Sequence, residues 1–451
     1  MRILEHSMTL PISPLAGGLI AHLKKAIDFR LGPESVPSRF VVTQTMAGQC
    51  YCEVGVVEGI PAQSRFRPDD IFRFVRRKHE NTNRFTAVLL VPTGIGAEIG
   101  GHAGDAGPVA RLLGSACDTL VTHPNVVNAS DINEMPENAL YVEGSVLTRL
   151  MMGSIGLQPV RSNRVIVVID AHKNNALKHA SINAVNGARA AYGLNCPKIV
   201  LLDPPLDMKA QYKASGGASG EVNGFAALLS VLEDNRETYD AVAVSSVIKV
   251  PHSYHQEYFD RGGEMVNPWG GVEALLTHAI SSFLNVPSAH SPMFESEEIA
   301  NVDPGIVESR MAAEAVSLTF LQCILKGLQR SPRIIEEPET VRAEGLLTAS
   351  DVSCLVLPEG CVGLPTLAAL EQGIPVIAVR ENKNLMKNDL RELPWMPGQL
   401  HIVENYWEAI GVMTALRAGI TPSSVRRPID TVGIETFDSS ALDADAAKKA
   451  V

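Results

Sequence analysis

At 451 residues the chain exceeds one ordinary domain, and two or three domains of roughly 100–200 residues each are expected. Apolar residues make up 45% and charged residues 20%, and 36 glycines and 28 prolines follow no period, which excludes collagen-like and low-complexity chains. A formal net charge of −11 without a basic stripe argues against a nucleic-acid partner, and no uninterrupted run reaches the ~20 apolar residues of a membrane span.

Seven cysteines, an odd number at irregular spacing, favour reduced thiols in the cytoplasm over a disulfide framework. The N-terminal residues carry an early acidic group and two prolines and lack a cleavage signal, against a secretory peptide. Residues 1–84 read as an N-terminal α+β segment packed on the core, with a strand over Phe40–Thr45 and a helix over Pro68–Lys78. From Phe85 the pattern becomes α/β. Ala87–Val91, Asp118–Val121, Val165–Ile169 and Lys198–Leu202 are runs suited to buried strands. Helices are expected at Pro108–Gly114 and Asn175–Ala191, and a Gly/Ser loop, lid or excursion over 212–224.

Asp240–Val247 predicts another strand, Lys249–Gly271 a long loop, Gly271–Phe283 a helix and Met311–Gly327 a longer one. Arg330–Glu344 reads as a linker, and Val352–Val379 as a βαβ unit with its helix over Thr366–Gln372. These elements give an α/β fold of mostly parallel sheets covered by helices, in two Rossmann-like lobes with a central cleft. The domain plan is 85–330 for the main α/β domain, 345–430 for a βαβ-containing region and 438–451 for a flexible tail.

The densest chemistry lies in 88–131, where a strand runs into a loop bearing Gly94, Gly96, Gly100 and Gly101, with His102, Asp105 and His123 nearby. No Gly-Lys-Ser/Thr closes a P-loop, and the dinucleotide pattern is imperfect, with three residues rather than two before Gly100. The loop either holds an anion on free N–H groups or is a tight turn between sheet and helix. Asp170 and His172, beyond a buried strand, form either a base with its orienting acid or, with His123, a divalent-metal site; a helix cap is the plainer alternative. If the strands before them run parallel, His102, Asp105, His123, Asp170 and His172 converge on one sheet edge. Short polar residues in 123–144 suit either a substrate clamp or turns. His252–Trp269 suits a pocket wall.

Residues 355–379 resemble the donor-binding βαβ segment of two-domain glycosyltransferases and nucleotide-sugar epimerases, with Gly360, Gly363 and Glu371 at the matching positions. The resemblance implies a diphosphate at the helix start. Cys361 stands where a helix N-terminus can lower a thiol pKa. More broadly, PTGIGAEIGGHAGDAGPVARLLG, THPNVVNASDINEMPENALYVEG and VVIDAH resemble an uncharacterised bacterial family known chiefly from cyanobacteria, a domain of unknown function, over most of residues 80–380. That resemblance implies no activity. The residues themselves lead to a cytoplasmic enzyme acting on a small polar, anionic metabolite by acid–base or metal-assisted chemistry: a hydrolase, isomerase or lyase. His102 or His172 moves the proton, and Asp105 or Asp170 orients it or shares a divalent ion. The alternatives are a nucleotide-sugar transferase or epimerase and a noncatalytic metabolite-binding protein. The cofactor is left open, with a divalent metal allowed. The expected partner is a small-molecule substrate, without nucleic acid or membrane, and a homo-oligomer is compatible.

Overall fold

A computed structural model describes residues 1–436 except 13–17, 47, 62, 65, 67, 318, 339–343 and 430. The flexible tail expected at 438–451 lies outside the described residues. Two large sheets organise the chain. The first has six strands, all parallel, in the spatial order Leu400–Val403, Val376–Val379, Val352–Pro358, Thr86–Leu89, Thr119–Thr122 and Ala139–Tyr141. Counted along the chain, the order runs sixth, fifth, fourth, first, second, third. The direction of winding therefore reverses between Thr86–Leu89 and Val352–Pro358, a topological switch point. Val352–Pro358 is buried along its whole length, as a strand covered by helices on both faces must be.

The second sheet is mixed. Asn195–Leu202, Arg164–Asp170, Ala241–Lys249 and Ser288–Met293 pair in parallel. Asp207–Tyr212, Ala218–Asn223, Arg2–Pro11, Gln49–Glu58 and Ser35–Met46 continue the sheet in that spatial order, each antiparallel to the next. The expected pair of Rossmann-like lobes thus resolves into one parallel and one mixed sheet. The antiparallel part arises because Ser35–Met46 and Gln49–Glu58 form a hairpin and 207–223 fold back at Ser215–Gly217, with Arg2–Pro11 between Gln49–Glu58 and Ala218–Asn223, antiparallel to both; parallel pairing would require helical crossovers within each hairpin. A two-residue strand, Val362–Gly363, pairs with Val41 and Val42 and joins the two sheets.

Apolar side chains fill two main cores. One lies around the parallel sheet and its helices, including Leu147, Leu150, Leu367 and Leu328. The other lies between the mixed sheet and the helices Phe225–Asp234 and Gly270–Leu284. The parallel sheet draws strands from both 86–141 and 352–403, with the parallel strands of the mixed sheet inserted between them in the chain.

Most expected elements stand where the apolar periodicity puts them, including the strand Arg164–Asp170 and the helices Gly107–Gly114, Asn175–Tyr192 and Gly270–Leu284. Five segments differ. Pro68–Lys78 is irregular because its polar groups are taken elsewhere: Val75 N–H donates to Met152 O, and Arg77 donates to the carbonyls of Val352, Gln372 and Gly373. Residues 212–224 form the turn and second strand of a hairpin. The loop Lys249–Gly271 contains the helix Tyr254–Asp260. The expected long helix is broken at Phe320, whose φ of 52° is left-handed, leaving Ala312–Ala315 and Leu321–Arg330. Within the expected linker, Arg333–Glu336 is a strand paired with Ile155–Gln158.

Candidate active site

Where the winding reverses, the loops leaving Thr86–Leu89 and Val352–Pro358 diverge, and the crevice between them is where ligands of open α/β sheets bind. A cavity of about 250 Å³ opens there, lined by Pro92, Thr93 and Ile95 on one side and Cys361 to Thr366 on the other. A second chamber of about 220 Å³ adjoins it. The two share Ala103, Asn128, Asn267, Glu273, His290 and Glu314.

That shared wall holds the densest polar chemistry of the cavity. His290 lies on the strand Ser288–Met293 and is fully buried; its Nε2 is 2.8 Å from Ser246 Oγ, and its Nδ1 is 3.4 Å from Glu273 Oε1. Glu273 projects from the first turn of Gly270–Leu284, where the helix dipole favours a carboxylate. Glu314 accepts from Ala103 N–H (2.7 Å) and Asn267 Nδ2 (3.3 Å). Burial raises its pKa, and the neighbouring charge of Glu273 acts in the same direction.

Around the first chamber, His102 Nδ1 lies 2.7 Å from the hydroxyl of Tyr258, and burial, then Arg310, lowers its pKa. His123 follows the strand Thr119–Thr122, and its Nε2 accepts from Val91 N–H at 3.1 Å. Burial, reinforced by His278, lowers its pKa to about 3. The imidazole is therefore a neutral Nδ1–H tautomer at pH 7. Glu143 caps the helix Gly144–Met151 through Ser145 and Val146 N–H. Its second oxygen lies 3.2 Å from His278 Nε2. Arg39 is the one arginine among the described residues of this chamber's lining and is ion-paired to Glu5.

Of the residues expected from sequence, His102, His123, Gly101 and Gly363 line the first chamber. Asp105 lies just behind: its Oδ1 accepts from Gly100 N–H at 2.8 Å, Oδ2 has no partner among the described residues, and burial raises its pKa to about 7. Gly94, Gly96, Gly100 and Gly360 line neither chamber, and the anion cradle is largely consumed by internal bonds. Glu98 and Ile99 N–H donate to Lys383 O and Asn382 Oδ1, Gly100 N–H to Asp105, and Gly94 O accepts from Ala218 N–H. The glycines answer to packing: Gly100 has φ 91°, and a Cβ there would lie 2.7 Å from Val91 Cγ1.

Asp170 and His172 line neither chamber, because their strand belongs to the mixed sheet rather than standing beside Thr119–Thr122, although Asp170 is near enough to His290 for the two charges to interact. Asp170 accepts from Leu206 N–H, and burial raises its pKa to about 6. His172 Nδ1 accepts from Asn174 N–H. The proposed metal set of His123, Asp170 and His172 is therefore dispersed, and among the described residues no group of three or more His, Cys, Asp or Glu is arranged to hold a metal ion. Burial pushes the Cys361 thiol up, against the lowered value a helix start suggested. Glu371, matched to the donor-binding segment, instead accepts from Ile20 N–H at 2.9 Å.

Glu143, Glu273, His278 and Glu314 went unmarked in the sequence. Only the order of elements hints at Glu143 and Glu273, each an acidic residue opening an apolar helix. The expected pocket wall within His252–Trp269 does supply His255, Tyr258, Phe259, Asn267 and Trp269 to the cavity.

No solved structure is significantly similar to the chain. An uncharacterised lipoprotein of Synechococcus sp. is 34% identical over 346 residues, covering 75% of this chain and 93% of the relative. The family profile described as "Protein of unknown function (DUF3326)" matches residues 86–426, all six strands of the parallel sheet included. The bacterial, cyanobacterial-type family suggested by the glycine-loop and VVIDAH segments is thus the right one, and the chain belongs to the DUF3326 family.

Proposed function

We propose that the chain is an enzyme acting on a small polar, anionic metabolite by general acid–base chemistry, with the reacting group at the wall shared by the two chambers. The observation that carries this reading is the convergence of Glu273, His290 and Glu314 there. A histidine whose Nε2 meets a hydroxyl, with a carboxylate 3.4 Å from its unbonded Nδ1, is placed for proton transfer, and Glu314 adds a second carboxyl to the same wall. The start of the helix Leu364–Gln372, whose dipole favours an anion, lines the first chamber and supports placing the anionic end there. His102 replaces His172 as the favoured histidine of the earlier pair, with Asp105 behind it. Hydrolysis, isomerisation and elimination share this machinery. A doubly wound, Rossmann-type reading of the parallel sheet supports the placement of the ligand at its switch point.

A nucleotide-sugar reading has support in one respect: Cys361 to Thr366 face Pro92 to Ile95 across the cavity. The engagement of Glu371 with Ile20 and the modest volume weigh against it. The free state of all seven cysteines supports a cytoplasmic location, which cell fractionation tests. No helix among the described residues is long and apolar enough to cross a membrane.

The test is incubation of the full chain with pooled anionic metabolites, read by mass spectrometry beside the Glu273→Gln variant. Depletion of one compound by the wild type and not by the variant is the expected result. Depletion by neither overturns the enzyme reading, and equal depletion by both overturns the placement of the chemistry.

A further inference from the structure

The second chamber differs chemically from the first. Among the described residues its wall contains no lysine or arginine. Glu273 and Glu314 stand at its inner end and Glu295, exposed, at the outer. Between these ends the surface is aromatic: Tyr258 and Trp269 meet edge to face at 5.4 Å, and Phe294 and Phe320 lie 5.8 Å apart. Aromatic faces and carboxylates attract cations, and the basic groups in the described lining are the imidazoles of His255 and His290.

Two independent observations indicate that a polar ligand belongs inside. The hydroxyls of Ser130 and Ser317 both line the chamber and are more than nine-tenths buried, yet have no hydrogen-bond partner among the described residues. Buried polar groups without partners are rare. In addition, Ser130 and Phe320 hold φ of 61° and 52°, a conformation that costs about 1–3 kcal/mol for non-glycine residues and concentrates at ligand sites.

We propose that this chamber binds a protonated amine carried on an apolar or aromatic body, with the ammonium at Glu273 and Glu314. The volume of about 220 Å³ admits one or two rings, since an apolar cavity of ~150 Å³ takes up benzene. This rests on the function above and deepens it by making the substrate zwitterionic, its anionic end at the start of the helix Leu364–Gln372 and its amine end in the second chamber.

The test is calorimetric titration of the full chain with phenethylamine, 2-phenylethanol and phenylacetate at neutral pH, three probes of one size and different charge. The amine is expected to bind roughly ten- to a hundredfold more tightly than the alcohol, the magnitude of a buried charge-assisted hydrogen bond, and the acid to bind least. Glu314→Gln and, separately, Glu273→Gln should reduce that preference while leaving the alcohol bound. Ile299→Trp, which fills the chamber, should abolish binding of the amine, with the melting temperature reporting that the fold is kept. Equal affinity for the three probes, preference for the acid, no binding of any probe, or amine binding that survives Ile299→Trp each overturns the proposal. Because the readout is binding, selective amine uptake without metabolite turnover separates a failure of the enzyme reading from a failure of this one.

Discussion

Glu273 Oε1 lies 3.4 Å from Nδ1 of His290, joining the first turn of a helix to the middle of a strand across the wall that both chambers touch. The other ring nitrogen meets Ser246, itself fully buried against Met208. Ser246 lines neither chamber, so its part is to fix the ring rather than to attack substrate. Replacing Glu273 by Gln keeps the side-chain shape and removes the charge that orients the imidazole. Turnover of the metabolite found in the screen is expected to fall by about 10²–10⁴, with KM changing far less. Ser246→Ala is expected to cost less than Glu273→Gln, and the reverse ranking would assign the serine a chemical role.

The His123 ring should remain neutral through the physiological range. Its pKa is lowered to about 3, mainly by burial, whereas the unfolded ring titrates near ~6.5. The folded state therefore keeps its full stability above about pH 6.5 and loses it as pH falls towards 3, because the unfolded chain takes up the proton first. Nitrogen-15 NMR of the ring should show a single neutral tautomer, Nδ1–H, with no titration at pH 5. A ring that charges between pH 6 and 7 would contradict the bond from Val91.

Asp105 gives the opposite slope. Burial raises its pKa to about 7, so between pH ~4 and 7 the folded carboxyl holds a proton that the unfolded one has lost. Stability falls as pH rises through that window. Asp105→Asn keeps the acceptor for Gly100 N–H and cannot ionise. It should therefore be close to wild type at pH 4 and more stable at pH 8, by on the order of 1 kcal/mol. Denaturant melts at both pH values measure the difference, and a variant equally destabilised at both would mean that the carboxyl is not held neutral.

The ion cluster behind Arg39 should be costly to open. Glu5 is fully buried, pairs with Arg39 and lies 3.5 Å from Lys213 Nζ. Those cations hold its pKa down against the opposing effect of burial. Glu5→Ala leaves a buried guanidinium unpaired and is expected to cost about 3–5 kcal/mol, read as a fall in the urea midpoint. Loss of under 1 kcal/mol would show that water enters the cluster freely.

Gly100→Ala separates packing from ligand binding in the glycine loop. A Cβ at φ 91° and 2.7 Å from Val91 Cγ1 should destabilise the fold by about 1–3 kcal/mol. Substrate affinity should be unchanged at a temperature where the variant is folded. A loss of affinity without loss of stability would return the loop to the ligand.

Periodicity located the central strands of the parallel sheet and the helix Gly270–Leu284 that carries Glu273, but not the strand Ser288–Met293 that carries His290 nor the helix Gly144–Met151 behind Glu143. Apolar runs such as 165–169 and 352–357 can be buried only as strands between helices, and alanine-rich 175–191 only as a helix, so local patterns determine those elements. The glycines after residue 91 likewise marked the loop at the switch point, since that turn needs conformations other residues resist. Strand neighbours were another matter. Val165–Ile169 carries the same kind of run as Thr119–Thr122, and nothing local says that one joins the mixed sheet and the other the parallel sheet, which is why Asp170 and His172 were grouped with His102 and His123. Glu143, Glu273, His278 and Glu314 come from positions 143 to 314 and meet only through the packing of separate helices and loops around the crevice. The sequence by itself determined the strongly periodic strands and helices; tertiary structure decided the irregular segments and which side chains share a space, because both depend on sheet order and helix docking, which are fixed by burial across the whole chain.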